Sequence, residues 1–121
     1  MEAILNYLLE RTLSIPFLTG VIFVVMALIT LGFPPKKINY LYGYRTRASM
    51  KNQQVWDFSQ RYSSLKMLQI GLVLVAASFV NVFLNLSDGL QVSLGSSLLI
   101  IACAYLFFTT ERAIRKNFPN N

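Results

Sequence analysis

Arg45, Thr46 and Arg47 stand side by side, with Asn39 before them and Trp56, Asp57 and Arg61 after. Arginine carries a planar fork of donors that fits a phosphate or a carboxylate. Arg45, Thr46, Asn39 and Arg61 can therefore form a site for a lipid headgroup or for the acid of a partner. The alternative is structural: Arg45 and Asn39 cap the end of a span or fasten the loop to Asp57. Catalysis is not expected. Histidine is absent from the chain, and the segment 34–66 holds one acid, Asp57, with Arg61 placed to pair with it at i+4. No metal or cofactor is expected either, because the single cysteine, Cys103, lies in an apolar run without ligand partners.

These residues belong to a cationic segment. Between Pro34 and Lys66 lie seven basic residues (Lys36, Lys37, Arg45, Arg47, Lys51, Arg61, Lys66) against Asp57, a net +6 that equals the charge of the whole chain. The rest of the sequence is apolar. Of 121 residues, 55% are hydrophobic and 13% charged, about half the charged fraction of a soluble domain. Basic clusters beside apolar runs follow the positive-inside rule and meet anionic lipid. Membrane lipid is thus the expected partner of this segment, and direct nucleic-acid binding is not expected.

Three uncharged stretches can position the segment. Thr12 to Pro35 predicts a helix over about 15–33, with Ser14 as cap, Pro16 in the first turn and a stop at Gly32-Phe33-Pro34-Pro35. Met67 to Ser87 and Gly89 to Thr110 predict spans over about 67–87 and 90–110. Each run reaches the ~20 residues that cross a ~30 Å hydrocarbon core. The first run is too long for a signal-peptide core and is read as a retained span. Ionisable residues are missing from all three runs, which argues against a proton-coupled transporter. The expectation is a single all-α membrane domain over 1–121. It has three transmembrane helices and an amphipathic cytoplasmic helix between spans one and two. Charge bias puts the N-terminus outside and the C-terminus inside.

Smaller features complete the reading. Ile4, Leu5, Leu8 and Leu9 share one stripe, as an interfacial helix or as extra turns of the first span. Tyr40, Tyr42 and Tyr44 alternate in an extended loop at headgroup level, with Gly43 supplying a turn or a close backbone approach. Ser49 to Lys66 reads as the amphipathic helix, capped by Ser49, with Val55, Phe58, Tyr62 and Leu65 on its apolar face. Trp56 borders that face, as an interfacial anchor or as the core of the loop. The helix either bends at Ser63-Ser64 or runs straight into span two. Spans two and three form a hairpin. Ser78, Asn81 and Asn85 share a face of span two, and Gly89, Ser93 and Ser97 repeat every four residues in span three. These residues either bind helix to helix or form an outer polar site for a ligand.

The string Asn39-x-x-x-Gly43-Tyr44-Arg45-Thr46, followed by Trp56 and then Arg61, resembles the signature of the SdpI family of bacterial multi-pass membrane proteins. One departure is Ser63-Ser64, where family members often carry a glycine pair; it bears on the bend into span two. The resemblance implies the bacterial cytoplasmic membrane. It implies immunity to a secreted, membrane-active peptide toxin met on the outer side. It further implies signalling, in which a transcriptional repressor or other acidic protein is held at the cytoplasmic segment. The named member is longer, with additional spans, and this chain matches its three-span module. A homo-oligomer, or a structural or accessory subunit of a larger membrane complex, is the alternative.

Overall fold

The computed structural model describes all residues except Leu13, Ser14, Val82, Asn85, Asn120 and Asn121, and of residues 8–12 the backbone alone. Four helices follow in order: α1 (Glu2–Thr12), α2 (Ile15–Gly32), α3 (Gln53–Val80) and α4 (Asp88–Asn117). No strand occurs among the described residues. Three helices, α2, α3 and α4, are long and apolar enough to cross a membrane. The all-α, three-span architecture is therefore present.

Pro16 sits in the first turn of α2, where a missing N–H removes no helical bond. The expected caps at Ser14 and the join of α1 to α2 lie outside the described residues, as do the side chains of Leu8 and Leu9. Ile4 and Leu5 of that stripe are exposed. At its far end α2 closes as expected. The Tyr42 hydroxyl donates to Phe33 O at 2.6 Å, occupying a carbonyl that Pro34 and Pro35 leave without a helical donor.

α3 differs from its expectation at both ends. Its N-cap is Asn52, whose side chain accepts the Val55 N–H, and Ser49 serves the preceding loop instead. It runs without a break through Ser63 and Ser64, so the expected choice between bend and rod falls to the rod. It stops at Val80, short of Ser87, where Asn81 caps it. Its 28 residues give a rod of roughly 42 Å at ~1.5 Å per residue. That exceeds the ~30 Å hydrocarbon core. α4 starts under a Ser87 cap and continues past Thr110 to Asn117, so the C-terminal tail is helical. Phe118 then meets Phe58 edge-on, 5.4 Å between centroids, which joins the tail to the base of α3.

The packing is uneven. α2 and α3 cross where glycine faces glycine: a Cβ on Gly20 would sit 2.8 Å from Gly71 O, and one on Gly71 2.8 Å from Gly20 O. Close crossing of this kind lets backbones touch in lipid, where apolar burial supplies no drive. One turn-set further along, the Thr30 and Ser64 hydroxyls share a buried 2.6 Å hydrogen bond. Ala27, Ser63 and Leu74 are buried alongside. α4 adds to this pair through Gly95, whose Cβ position lies 2.9 Å from Ile15 Cβ, and through Ala102, Thr110, Ala113 and Ile114.

Candidate functional site

The basic segment is a folded clasp rather than a loose loop. Asn39 starts it: its Oδ1 accepts the N–H groups of Leu41 and Tyr42 at 2.9 and 2.7 Å, and its Nδ2 donates to Lys37 O. A side-chain amide closing a turn on its own backbone is what asparagine does where the chain reverses. Arg45 Nη1 donates to Tyr40 O across the same turn. Gly43 adopts φ +101, and a Cβ there would stand 2.4 Å from Gln60 Oε1 and 2.7 Å from Pro35 Cγ. Only glycine meets both the backbone angle and the space.

α3 holds the clasp from below. The Gln60 amide pairs with the Tyr44 backbone, accepting its N–H at 2.7 Å and donating to its O at 2.6 Å. This one side chain replaces a strand neighbour for a backbone that has none. Trp56, one turn earlier and fully buried, donates its indole N–H to Pro35 O at 2.6 Å. Gln53, another turn earlier in the helix, donates to Lys36 O and to Asp57 Oδ1. Thr46 and Ser49 cap each other: Thr46 N–H donates to Ser49 Oγ and Ser49 N–H to Thr46 Oγ1, while Ser49 Oγ donates back to the carbonyls of Tyr44 and Thr46. The Tyr44 ring reaches α4, its hydroxyl donating to Phe107 O at 3.4 Å. Burial, and then the nearby Glu111 carboxylate, push its phenol well above the ordinary value.

Most of the predicted residues are therefore brought together. Asn39, Gly43, Arg45, Thr46 and Trp56 build the clasp. Gly43, Tyr44 and Arg45 line one pocket of about 270 Å³ with Ser63 and Met67. Arg61 lies in a second, of about 370 Å³, with Lys36, Gln53 and Asp57. Thr30 and Gln60 line both. Two expectations change. Asp57 bonds Gln53 instead of pairing with Arg61. The buried face of the helix is Val55, Trp56, Ser59, Gln60, Ser63 and Ser64; of the predicted apolar stripe Val55 is buried, whereas Leu65 is exposed and Phe58 and Tyr62 stack on each other at its flank. Small hydroxyls let the loop and α2 approach closely, and Ser59 and Ser63 bond backward to Val55 O and Gln60 O, so their burial leaves no orphan. Gln60, absent from the sequence reading, was findable as the residue one turn past Trp56 on its face.

At the hairpin end, Ser78, Asn81, Gln91 and Gly95 line a pocket of about 120 Å³ with Pro16. Asn81 Nδ2 donates to Gln91 Oε1 at 3.3 Å, so the two helices share polar groups there. Asn85 lies outside the described residues. Gly89, Ser93 and Ser97 do not join the three helices: all are exposed, and nothing stands within 4 Å of a Cβ on Gly89. The contact from α4 runs through Gly95 instead, because that residue faces Ile15 and Pro16. Among the described residues no His/Cys/Asp/Glu cluster could hold a metal ion.

These features define a small multi-pass helical membrane protein in which a basic clasp is folded onto one end of its central span. The chain belongs to the SdpI/YfhL protein family, whose profile matches residues 36–110. The match begins at the clasp and ends with the apolar part of α4. A relative, the uncharacterized protein YfhL of Bacillus subtilis (strain 168), is 35% identical over 103 residues, covering 79% of this chain and 82% of its own. No solved structure matches the chain.

Proposed function

We propose that this protein is a membrane-resident immunity and signalling receptor for a membrane-active peptide. In this reading the hairpin end faces outward in the bacterial cytoplasmic membrane and the clasp faces the cytoplasm. The peptide is met at the hairpin and the lipid-facing surfaces near it. The clasp meets an acidic protein, such as a repressor, or anionic lipid through Arg45 and Arg61. The role is non-enzymatic, since it uses binding and a change of packing alone.

One observation carries the reading. α3 runs unbroken from the Asn52 cap beneath the clasp to the Ser78–Asn81 pocket. A continuous rod moves as a body, so a peptide that repacks the hairpin end displaces Trp56 and Gln60, which hold the clasp. The uneven packing gives the motion a place to occur: α2 and α3 are locked by Gly20 and Gly71, while α4 leaves an open groove against α3. Deleting the gene and challenging the cells with a panel of secreted membrane-active peptides tests this. The expected result is a several-fold rise in sensitivity to at least one peptide, reversed by the wild-type gene. Unchanged sensitivity to every peptide contradicts immunity.

A second reading is an accessory subunit, or a homo-oligomer, docked through α4. The exposure of Ser93 and Ser97 favours it, since small residues on a lipid-facing helix admit a second helix. Photo-crosslinking from position 93 that captures a protein supports it, and capture of lipid alone counts against it.

A further inference from the structure

The groove between α3 and α4 contains two polar side chains, Gln69 and Tyr105. It has a volume of about 300 Å³ and is lined by Gln69, Ile70, Val73 and Leu74 of α3 and by Leu98, Ile101, Ala102 and Tyr105 of α4. The Gln69 amide and the Tyr105 hydroxyl make no hydrogen bond to any described residue, and both residues are exposed. A primary amide open to hydrocarbon costs several kcal/mol, so it calls for a ligand with acceptors.

The register supplies the rest of the site. Lys66 lies three and four residues before Gln69 and Ile70, on the same stripe of α3. Arg112 follows Tyr105 by seven residues, on the same stripe of α4. Helical side chains lean toward their own N-terminus, and the two helices are antiparallel. Lys66 therefore leans toward the clasp end, and its Nζ indeed stands 5.8 Å from the Tyr62 ring one turn that way. By register, then, Lys66 and Arg112 both lie on the clasp side of the groove, past Gln69 and Tyr105 respectively. The acids near them are committed elsewhere, Glu111 to Tyr44 and Asp57 to Gln53.

We infer that this groove is a binding site for one anionic phospholipid of the surrounding bilayer. Ile70, Val73, Leu74, Leu98, Ile101 and Ala102 take an acyl chain. The Gln69 N–H and Tyr105 O–H donate to the glycerol ester oxygens, and Lys66 and Arg112 hold the phosphate. A second protein copy or a peptide fits less well, because the polar groups lie at the mouth and the groove beyond them is apolar. The site stands whether or not the protein recognises a toxin.

Native mass spectrometry of the full chain, purified in detergent and delipidated, tests the site. Dioleoyl-phosphatidylglycerol and dioleoyl-phosphatidylcholine are the probes. One phosphatidylglycerol should be retained with a preference of at least about tenfold over phosphatidylcholine. Lys66→Gln with Arg112→Gln should abolish the preference, Lys66→Arg should keep it, and Gln69→Leu with Tyr105→Phe should weaken both lipids. Arg47→Gln with Lys51→Gln, which changes exposed charge away from the groove, should leave the preference unchanged. Equal retention of the two lipids by the wild type overturns the assignment. So does a preference that survives Lys66→Gln with Arg112→Gln, or one lost only with the Arg47 and Lys51 changes. Retention of helical circular dichroism by each variant separates loss of binding from loss of fold.

Discussion

At the scale of single residues, the clasp depends on Gln60 and Gly43. Gln60→Leu leaves the Tyr44 N–H without a partner in a half-buried site and the Tyr44 C=O with the Ser49 hydroxyl alone. The expected destabilisation is about 2–4 kcal/mol, from two lost bonds and the uncompensated desolvation of the N–H. It is read as a lower unfolding temperature in detergent, with Gln60→Glu intermediate because it keeps the acceptor. Gly43→Ala should cost about 1–3 kcal/mol in the same measurement, since both the positive φ and the 2.4 Å approach to Gln60 oppose a methyl group. Tyr44 predicts a pH effect. Its folded-state phenol titrates above the ordinary 10.0, so the folded chain keeps a proton that the unfolded chain releases. Stability is therefore intact below pH 10 and falls as pH rises beyond it. Tyr44→Phe should flatten that alkaline decline in a series of unfolding curves. The signature residues were legible in the sequence, but their work was not. Asn39 and Thr46 spend their side chains on neighbouring backbone, which depends on a turn that no spacing specifies.

Among the elements, the decisive contact is the glycine crossing of α2 and α3. Gly20→Ala or Gly71→Ala drives a methyl to 2.8 Å from a backbone carbonyl, which cannot retreat as a flexible side chain would. Each should cost about 1–3 kcal/mol of stability, whereas Gly89→Ala, with open space around it, should be neutral within about 0.5 kcal/mol. Parallel thermal melts decide this, and equal losses at all three positions would refute the crossing. The spans themselves were legible because uncharged runs of this length have one solution in lipid. The buried face of α3 was not. Hydrophobic periodicity selects Val55, Phe58, Tyr62 and Leu65, a rule made for helices whose inward side is the apolar one. Here Val55 does turn inward, but it is joined by Trp56, Ser59, Gln60, Ser63 and Ser64 against a polar loop and a close helix, and Leu65 turns outward. The same inversion hid the α4 contact. Gly89, Ser93 and Ser97 form the longer small-residue stripe, yet it is Gly95 that faces Ile15 while Gly89 meets open space.

Across the whole molecule, charge and packing divide the protein into a clasp end and a hairpin end joined by one rod. The clasp end carries the net charge, the folded loop and the helical tail of α4; the hairpin end carries a small, mostly apolar pocket edged by Ser78, Asn81 and Gln91 and no basic residue beyond the first span. A receptor that reads peptide on one side and reports on the other needs this division to coincide with the two faces of the membrane. The test is cysteine accessibility in intact cells, with Cys103→Ala as background and a single new cysteine at Arg47→Cys or Ser87→Cys. An impermeant maleimide added outside should label position 87 at once and position 47 only after permeabilisation. Labelling of position 47 in sealed cells, with position 87 protected, would reverse the orientation and contradict the proposed role.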